Sequence, residues 1–403
     1  MKDLTYTPSQ EILDAYARVL VHFALGSKEG INSGEVVQVM VPDIAKPLAK
    51  SLQKTLLKAG AHVLMRLLPT GLDRDYFELA TEEQLNFFPA GYLKSRADLI
   101  DHNIAIIADP DPSELEGVDP QKIFRARNSQ KSYRDWLTAK EVNGKFTWTA
   151  ALWGVEAKAQ IVGLSLEEYW QQIIQACYLD TADPIAEWRK TKAMQLDLKK
   201  KLNQLSIEFV KVTGPDVNLK VQLGADRIWV GGADRNIPSY ELFASPNWRG
   251  CEGTISFNQP LYRYGHILEG VSFEIRGGLV VQAHAKRGEH LLNEMLKTPG
   301  ANKLGEFSLT DRKISKITHF MAETLYDENV GGPHGNTHVA IGMAYRDALR
   351  GDRTKLSEKD WHQLGFNDSA EHTDFVSTSP RTVTAHLSDG TQKVIYQDGQ
   401  FTL

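Results

Sequence analysis

The apolar positions of this chain change their period partway along its length. From residue 10 to about 205, helical runs alternate with short, continuous apolar runs. Ile12, Tyr16, Val19, Leu20 and Phe23 share one helical face. Thr7 is the expected N-cap of that helix, with Pro8 at its first position and Gln10 where a capping box places it. Gly26 and Gly30 end it. Residues 36–41, 61–68 and 104–108 are apolar runs of strand length. A helix carrying Leu48, Leu52 and Leu56, with Asp43 as its expected cap, joins the first two. A crossover helix between buried strands predicts a parallel pair. Residues 120–142 predict one long polar helix, 146–153 a strand, and 166–177 a helix opened by a Ser165/Glu168 capping box. A helix over 183–205 follows as the link between domains. Its Lys190, Lys192, Lys199, Lys200 and Lys201 read as a solvated face.

Beyond residue 206 the runs shorten. Strand-like segments fall at 207–212, 217–223, 227–231, 254–257, 271–275 and 279–283, with turn residues between them. Two helices interrupt, one at 288–297 and one after His338. Strands in succession with few helices predict an antiparallel sheet. The expected architecture is therefore an α/β N-terminal domain, 1–205, with a parallel-type sheet. An α+β C-terminal domain, 206–403, follows with a curved, largely antiparallel sheet. The length of 403 residues agrees with two domains.

Composition removes several function classes. A formal net charge of -5 and the absence of a basic cluster give no footprint for nucleic acid. No run approaches the ~18 apolar residues of a membrane span. The first residues, MKDLTYTPSQEILDAY, lack the basic and apolar regions of a signal peptide. Cys177 and Cys251 are too few for a disulfide framework and read as small buried hydrophobes. A cytoplasmic location is expected. The loop at 109–112 follows a strand, where open α/β sheets bind ligands. No GxGxxG or GxxxxGK[ST] accompanies it, so Asp109 and Asp111 read as turn residues.

Nine of the 12 histidines lie from His266 onward. Carboxylates stand near some of them in unusual settings. Glu241 sits among apolar and turn residues, and Glu306 between Gly305 and an apolar strand. The stretch 324–345 carries Asp327-Glu328, a Gly-rich turn with His334 and His338, and a small-residue run, read as helical, ending in Tyr345. His372 and Asp374 share one face if the backbone is extended. Four carboxylates and two imidazoles without matching Lys or Arg would raise one another's pKa unless a cation intervened. Mixed oxygen and imidazole donors suit Zn, Co or Mn. Six ligands exceed one tetrahedral Zn but suit two ions sharing a carboxylate and a water.

The segments ELFASP from Glu241, EGT with a following PL, LGE around Glu306, LYDEN…HVAIGMAY, and Ser369-x-x-His372-x-Asp374 together resemble the thermophilic aminopeptidase family, peptidase family M29. The resemblance covers nearly the whole chain and implies a dinuclear metallo-aminopeptidase acting on peptides. It implies Glu241 as the first ligand and Glu306 as a glutamate at the metals and in catalysis. Glu328 and His338 are the next two implied ligands, and His372 with Asp374 closes the site. Tyr345 matches a tyrosine implicated in catalysis. Two divalent ions (Zn, Co, Mn or Mg) and a homodimer are also implied.

The chain departs from the pattern in three places. Pro238-Ser-Tyr-Glu241 replaces the usual Pro-Asp-Gly-Glu. The interval from Glu328 to His338 is longer and adds His334, read as a loop or substrate-contact residue. Ala370 stands where some members carry a histidine. These departures leave room for a non-catalytic metal- or ligand-binding protein on the same scaffold, against which Glu306 and Tyr345 argue. A glycosidase using two carboxylates would leave His338, His372 and Asp374 unexplained.

Overall fold

The structure is a computed structural model and describes residues 6–26, 30–231 and 235–403. Residues 1–5, the start of the segment read for a signal peptide, lie outside them. The chain divides into two compact units. One comprises Met1–Lys192, Ala233–Ser239 and Phe320–Leu325; the other comprises Ala193–Gly232, Tyr240–His319 and Tyr326–Leu403.

The first unit holds a five-stranded sheet. Its strands are β1 (Val36–Pro42), β2 (His62–Leu68), β3 (His102–Ile107), β4 (Thr147–Leu152) and the short β5 (Asn236–Ile237), in the order β2-β1-β3-β4-β5. Every pairing is parallel, as the crossover helix predicts. Val37, Val39, Val41, Ile104 and Ile106 are buried in its central strands. Helix Lys46–Lys58 turns Leu48, Leu52 and Leu56 inward. Asp111 accepts from the Ser113 amide at 3.0 Å, an Asx turn of the kind expected of a turn aspartate.

Three helix details differ from the sequence reading. The first helix begins at Gln10, because Ser9, not Thr7, accepts the Ile12 amide as N-cap. Asp43 opens a short 3₁₀ turn, Asp43–Ala45, and accepts from the Thr70 hydroxyl instead of capping Lys46–Lys58. The segment 120–142 is two helices, Pro120–Ser129 and Lys131–Val142, with Gln130 at φ -87°, ψ 1° between them. Asn128 and Ser129 precede that break, and the Ser129 hydroxyl donates to the Ala126 carbonyl, competing with the helix ladder.

The second unit carries two larger antiparallel sheets. The eight-stranded one runs 279–284, 272–276, 252–256, 217–222, 207–214, 382–387, 392–397, 400–401. The four-stranded one consists of β6 (Glu241–Ala244), β7 (Leu304–Thr310), β8 (Asn336–Gly342) and β9 (His372–Ser377), in the order β9-β8-β7-β6. Phe375 on β9 packs against Phe257 and Phe273, with ring centroids 5.4 and 4.9 Å away. Each such buried side chain contributes ~1.5–3 kcal/mol of transfer free energy.

Two sequence expectations fail here. Residues 227–231 form no strand. They make only isolated bridges, Arg227 with Leu349 and Val230 with Phe243. The Arg227 guanidinium instead donates to the carbonyls of Ser245 and Leu364. The helix expected after His338 is strand β8. Every residue of β7 and β8 is buried, so neither strand alternates apolar with polar. A short run buried on both faces has no period to separate it from a buried helix.

Candidate metal centre

The four-stranded sheet sorts its side chains by pairing. Thr310 pairs with Glu241, Ser308 with His338, and Glu306 with Ala340. Ala340 in turn pairs with Asp374, and Gly342 with His372. Directly paired residues share a face, so Glu241, Glu306, His338, His372 and Asp374 all lie on one side. Phe307, Leu309, Val339, Ile341 and Phe375 lie on the other and are buried. Small residues make the room: Ala340 sits between Glu306 and Asp374, and Gly342 stands opposite His372.

Glu306 reaches that face through a β-bulge. The register shifts between Leu304, paired with Ile341, and Glu306, paired with Ala340. Leu304 and Glu306 are two residues apart yet point to opposite faces, which only an extra residue permits. Gly305 is that residue. A Cβ there would stand 2.2 Å from the Met343 carbonyl oxygen.

The side chains converge closely. His338 Nε2 lies 3.0 Å from Glu306 Oε1, 3.2 Å from Glu241 Oε2 and 3.9 Å from Asp374 Oδ1. His372 Nε2 lies 3.4 Å from Asp374 Oδ1 and 3.7 Å from Glu306 Oε2. His372 Nδ1 is 2.9 Å from the Met343 carbonyl, which orients the ring and turns Nε2 to the cluster. Ser308 donates to Glu241 Oε2 at 2.6 Å.

Two three-residue groups have donor atoms within 4.8 Å of one another: Glu241, Glu306 and His338, and Glu306, His372 and Asp374. Glu306 belongs to both. Glu328 is buried but stands outside both groups, and its Oε1 accepts from the Asn329 side-chain Nδ2 at 3.3 Å. Asp327 is buried, and its carbonyl accepts from Asn336 Nδ2. His334 is exposed in the Gly-rich turn and belongs to neither group. Tyr345 lies outside any α-helix, immediately before a 3₁₀ turn. Its ring stands 4.9 Å from that of His372 and 5.4 Å from that of Phe243. Its amide donates to the Ser245 hydroxyl.

The electrostatics reflect crowded like charge. Burial pushes the Glu306 carboxyl up to about 7 against the His338 hydrogen bond, with Glu241 adding to the rise. Burial and the charges of Glu241 and Asp374 hold Glu328 well above the usual carboxylate range. Burial works against a charged His372, yet Asp374 raises it to about 9. Asp374, opposed by its own burial, is lowered to about 2 by His372. Burial, reinforced by Glu306 and Asp374, lifts the Tyr345 phenol well above its ordinary value, so it stays protonated.

The donor set fits divalent cations. It combines buried carboxylates with imidazole nitrogens, the mixture that suits Zn, Co or Mn. Among the described residues His338 Nδ1 is buried without a hydrogen-bond partner, and Nε2 faces the carboxylates of Glu306 and Glu241. The sequence reading missed Ser308, Asn329 and Glu371. Ser308 alone had a local signal, since it lies two residues beyond Glu306 on an extended run.

The model of the family described as "Thermophilic metalloprotease (M29)" matches residues 9–401. Aminopeptidase T of Thermus aquaticus is 29% identical over 97% of this chain and all of its own. Aminopeptidase 2 of Geobacillus stearothermophilus is 27% identical over 96% of this chain and 97% of its own. The solved structure of wild-type AmpT from Thermus thermophilus aligns with a TM-score of 0.82 and 25% identity, covering 98% of this chain and 100% of that one.

Proposed function

Because the chain belongs to the M29 family of thermophilic metalloproteases and is a metal-dependent aminopeptidase, we propose that it uses two divalent ions held by the four-stranded sheet. Glu241, Glu306 and His338 would hold one ion, and Glu306, His372 and Asp374 the other, with Glu328 contributing beside them. The observation that carries this reading is Glu306, common to both groups. When bound, such ions lower the pKa of a water and polarise a carbonyl oxygen.

The chain's own groups do the rest. Glu306 takes a proton from the attacking water and delivers it to the leaving amine, the work of a positioned acid–base carboxylate. Tyr345, held protonated, donates a hydrogen bond to the oxygen that gains charge at the scissile carbonyl. The substrate's free α-amino group is fixed in the same cluster, which limits cleavage to the N-terminal residue of a peptide.

A second reading of the proton carrier rests on one observation. The two oxygens of Glu306 face the two imidazoles, whereas Glu328 stands outside both groups. Glu328→Gln separates the two. If Glu328 carries the proton, this variant keeps its metal and loses turnover of amino-acyl anilides. If Glu306 does, the variant retains most of its turnover.

We propose further that the protein is a cytoplasmic homodimer whose domains divide near residue 205, with all seven site residues in 206–403. Cys177 and Cys251, both buried and not joined in a disulfide, agree with a reducing compartment. Elemental analysis after titration with Zn, Co, Mn or Mg tests the metal reading. Two equivalents per chain are expected, and one would overturn it. Light scattering tests the dimer.

A further inference from the structure

A hairpin outside the two larger sheets of the second unit reaches the strand that carries His372 and Asp374. It consists of Leu261–Arg263 and His266–Leu268, with Arg263 paired to His266. Tyr264 and Gly265 form its two-residue turn, at φ 54° and 70°. Positive φ at both positions is the pattern of a type I′ turn, which favours asparagine, aspartate or glycine at the first. A tyrosine there is conformationally disfavoured, and such outliers point to a role for the side chain.

The Tyr264 hydroxyl donates to Glu371, at 2.8 Å from Oε2 and 3.0 Å from Oε1. Glu371 is 1% exposed and lies next to His372 in sequence. Its carboxylate also accepts from the Thr373 hydroxyl and stands 3.6 Å from the Arg263 guanidinium. Arg263 packs over the Tyr264 ring and donates to the His372 carbonyl at 2.8 Å. The Glu371 carbonyl accepts from the Met343 amide at 2.7 Å, and the Met343 carbonyl orients the His372 ring. The peptide groups on both sides of His372 are thus tied down, one by Met343 and one by Arg263.

We propose that Tyr264, Arg263 and Glu371 are positioning residues, a brace that holds His372, and with it Asp374, in the orientation that binds metal. None of the three belongs to the converging donor groups. The brace acts through the ligand strand, as hydrogen-bonding partners behind metal ligands do. It rests on the reading of His372 and Asp374 as ligands.

The test is metal affinity. Metal-stripped native protein, Tyr264→Phe, Glu371→Gln and His372→Ala are titrated with zinc against a chromophoric chelator. Tyr264→Phe is expected to bind one zinc equivalent about 10- to 100-fold more weakly. Excess zinc should restore its kcat, with KM unchanged. Glu371→Gln reads the same quantity if Tyr264→Phe does not fold. Native zinc affinity in both variants, with only a lowered melting temperature, overturns the brace. If His372→Ala also binds zinc as the native protein does, the ligand assignment falls as well. If His372→Ala alone weakens binding, only the brace falls.

Discussion

In the first unit Lys158 is buried and ion-paired to Glu323, and His102 bridges Glu35 and Thr147. In the second, Glu241, Glu306, Glu328 and Asp374 are buried around only two imidazoles. Both units bury ionisable groups, so burial does not distinguish them. Charge balance does. A buried pair of opposite sign neutralises itself, whereas four gathered carboxylates need a cation from outside. The sheet of the first unit is closed electrostatically by its own side chains, and that of the second by what it binds.

The strongest way to break this contrast is Glu306→Gln, which removes the carboxylate common to both groups. Hydrolysis of amino-acyl anilides should fall ~10²–10⁴-fold, the range of a positioned acid–base group. The melting temperature of the metal-free protein should hold or rise. Near-native turnover would remove Glu306 from the chemistry. Lys158→Met is the counterpart in the first unit. It takes the buried Lys158 cation from the half-buried Glu323 carboxylate and should cost about 3 kcal/mol in denaturant unfolding. At saturating zinc, kcat should stay native, and a selective loss of kcat without destabilisation would contradict the contrast.

Tyr345→Phe tests the edge of the cluster. Loss of one oxyanion donor should lower kcat ~10²–10³-fold with metal content unchanged. A rise in KM alone would show that Tyr345 serves ground-state binding.

The smallest effect is a pH trend in the metal-free protein. Glu306 ionises near 4.5 when unfolded and at about 7 when folded. Between those values unfolding releases a proton, so stability falls as pH rises. His372 holds its proton to about 9 against 6.5 unfolded. Its stabilisation is complete below 6.5 and is lost as pH climbs to 9. Both groups predict a melting temperature that falls from pH 5 to 9 after chelation. With zinc bound the slope should flatten, because metal takes the place of the protons. A metal-free protein that grows more stable over that range would show that the carboxylates are neutralised internally.

Sequence reading recovered the parallel strands of the first unit because apolar runs and a Gly-terminated helix are local signals. That Glu241, Glu306, His338, His372 and Asp374 stand in unusual settings was also legible, and the sheet gathers their side chains on one face. Strand β8 was not. Its run from Val339 to Gly342 is small and apolar on both faces, so nothing in it separates strand from helix. Glu371 was equally hidden. Its partner Tyr264 lies 107 residues away, and the packing of a separate hairpin against the ligand strand, not local pattern, brings them together. Both unexpected helix boundaries, at Ser9 and Gln130, came from side chains competing for nearby backbone groups.

Gly305 stands outside the reading frame written in sheet geometry. Deleting one residue from inside a strand usually turns every side chain beyond it to the other face. Deleting this one would bring Leu304 and Glu306 into strict alternation, Leu304 still opposite Ile341 and Glu306 still opposite Ala340, and the carboxylate would keep its side. A one-residue gap at 305 is therefore silent for the site, whereas a gap at 307 would set Glu306 and Ser308 on opposite faces.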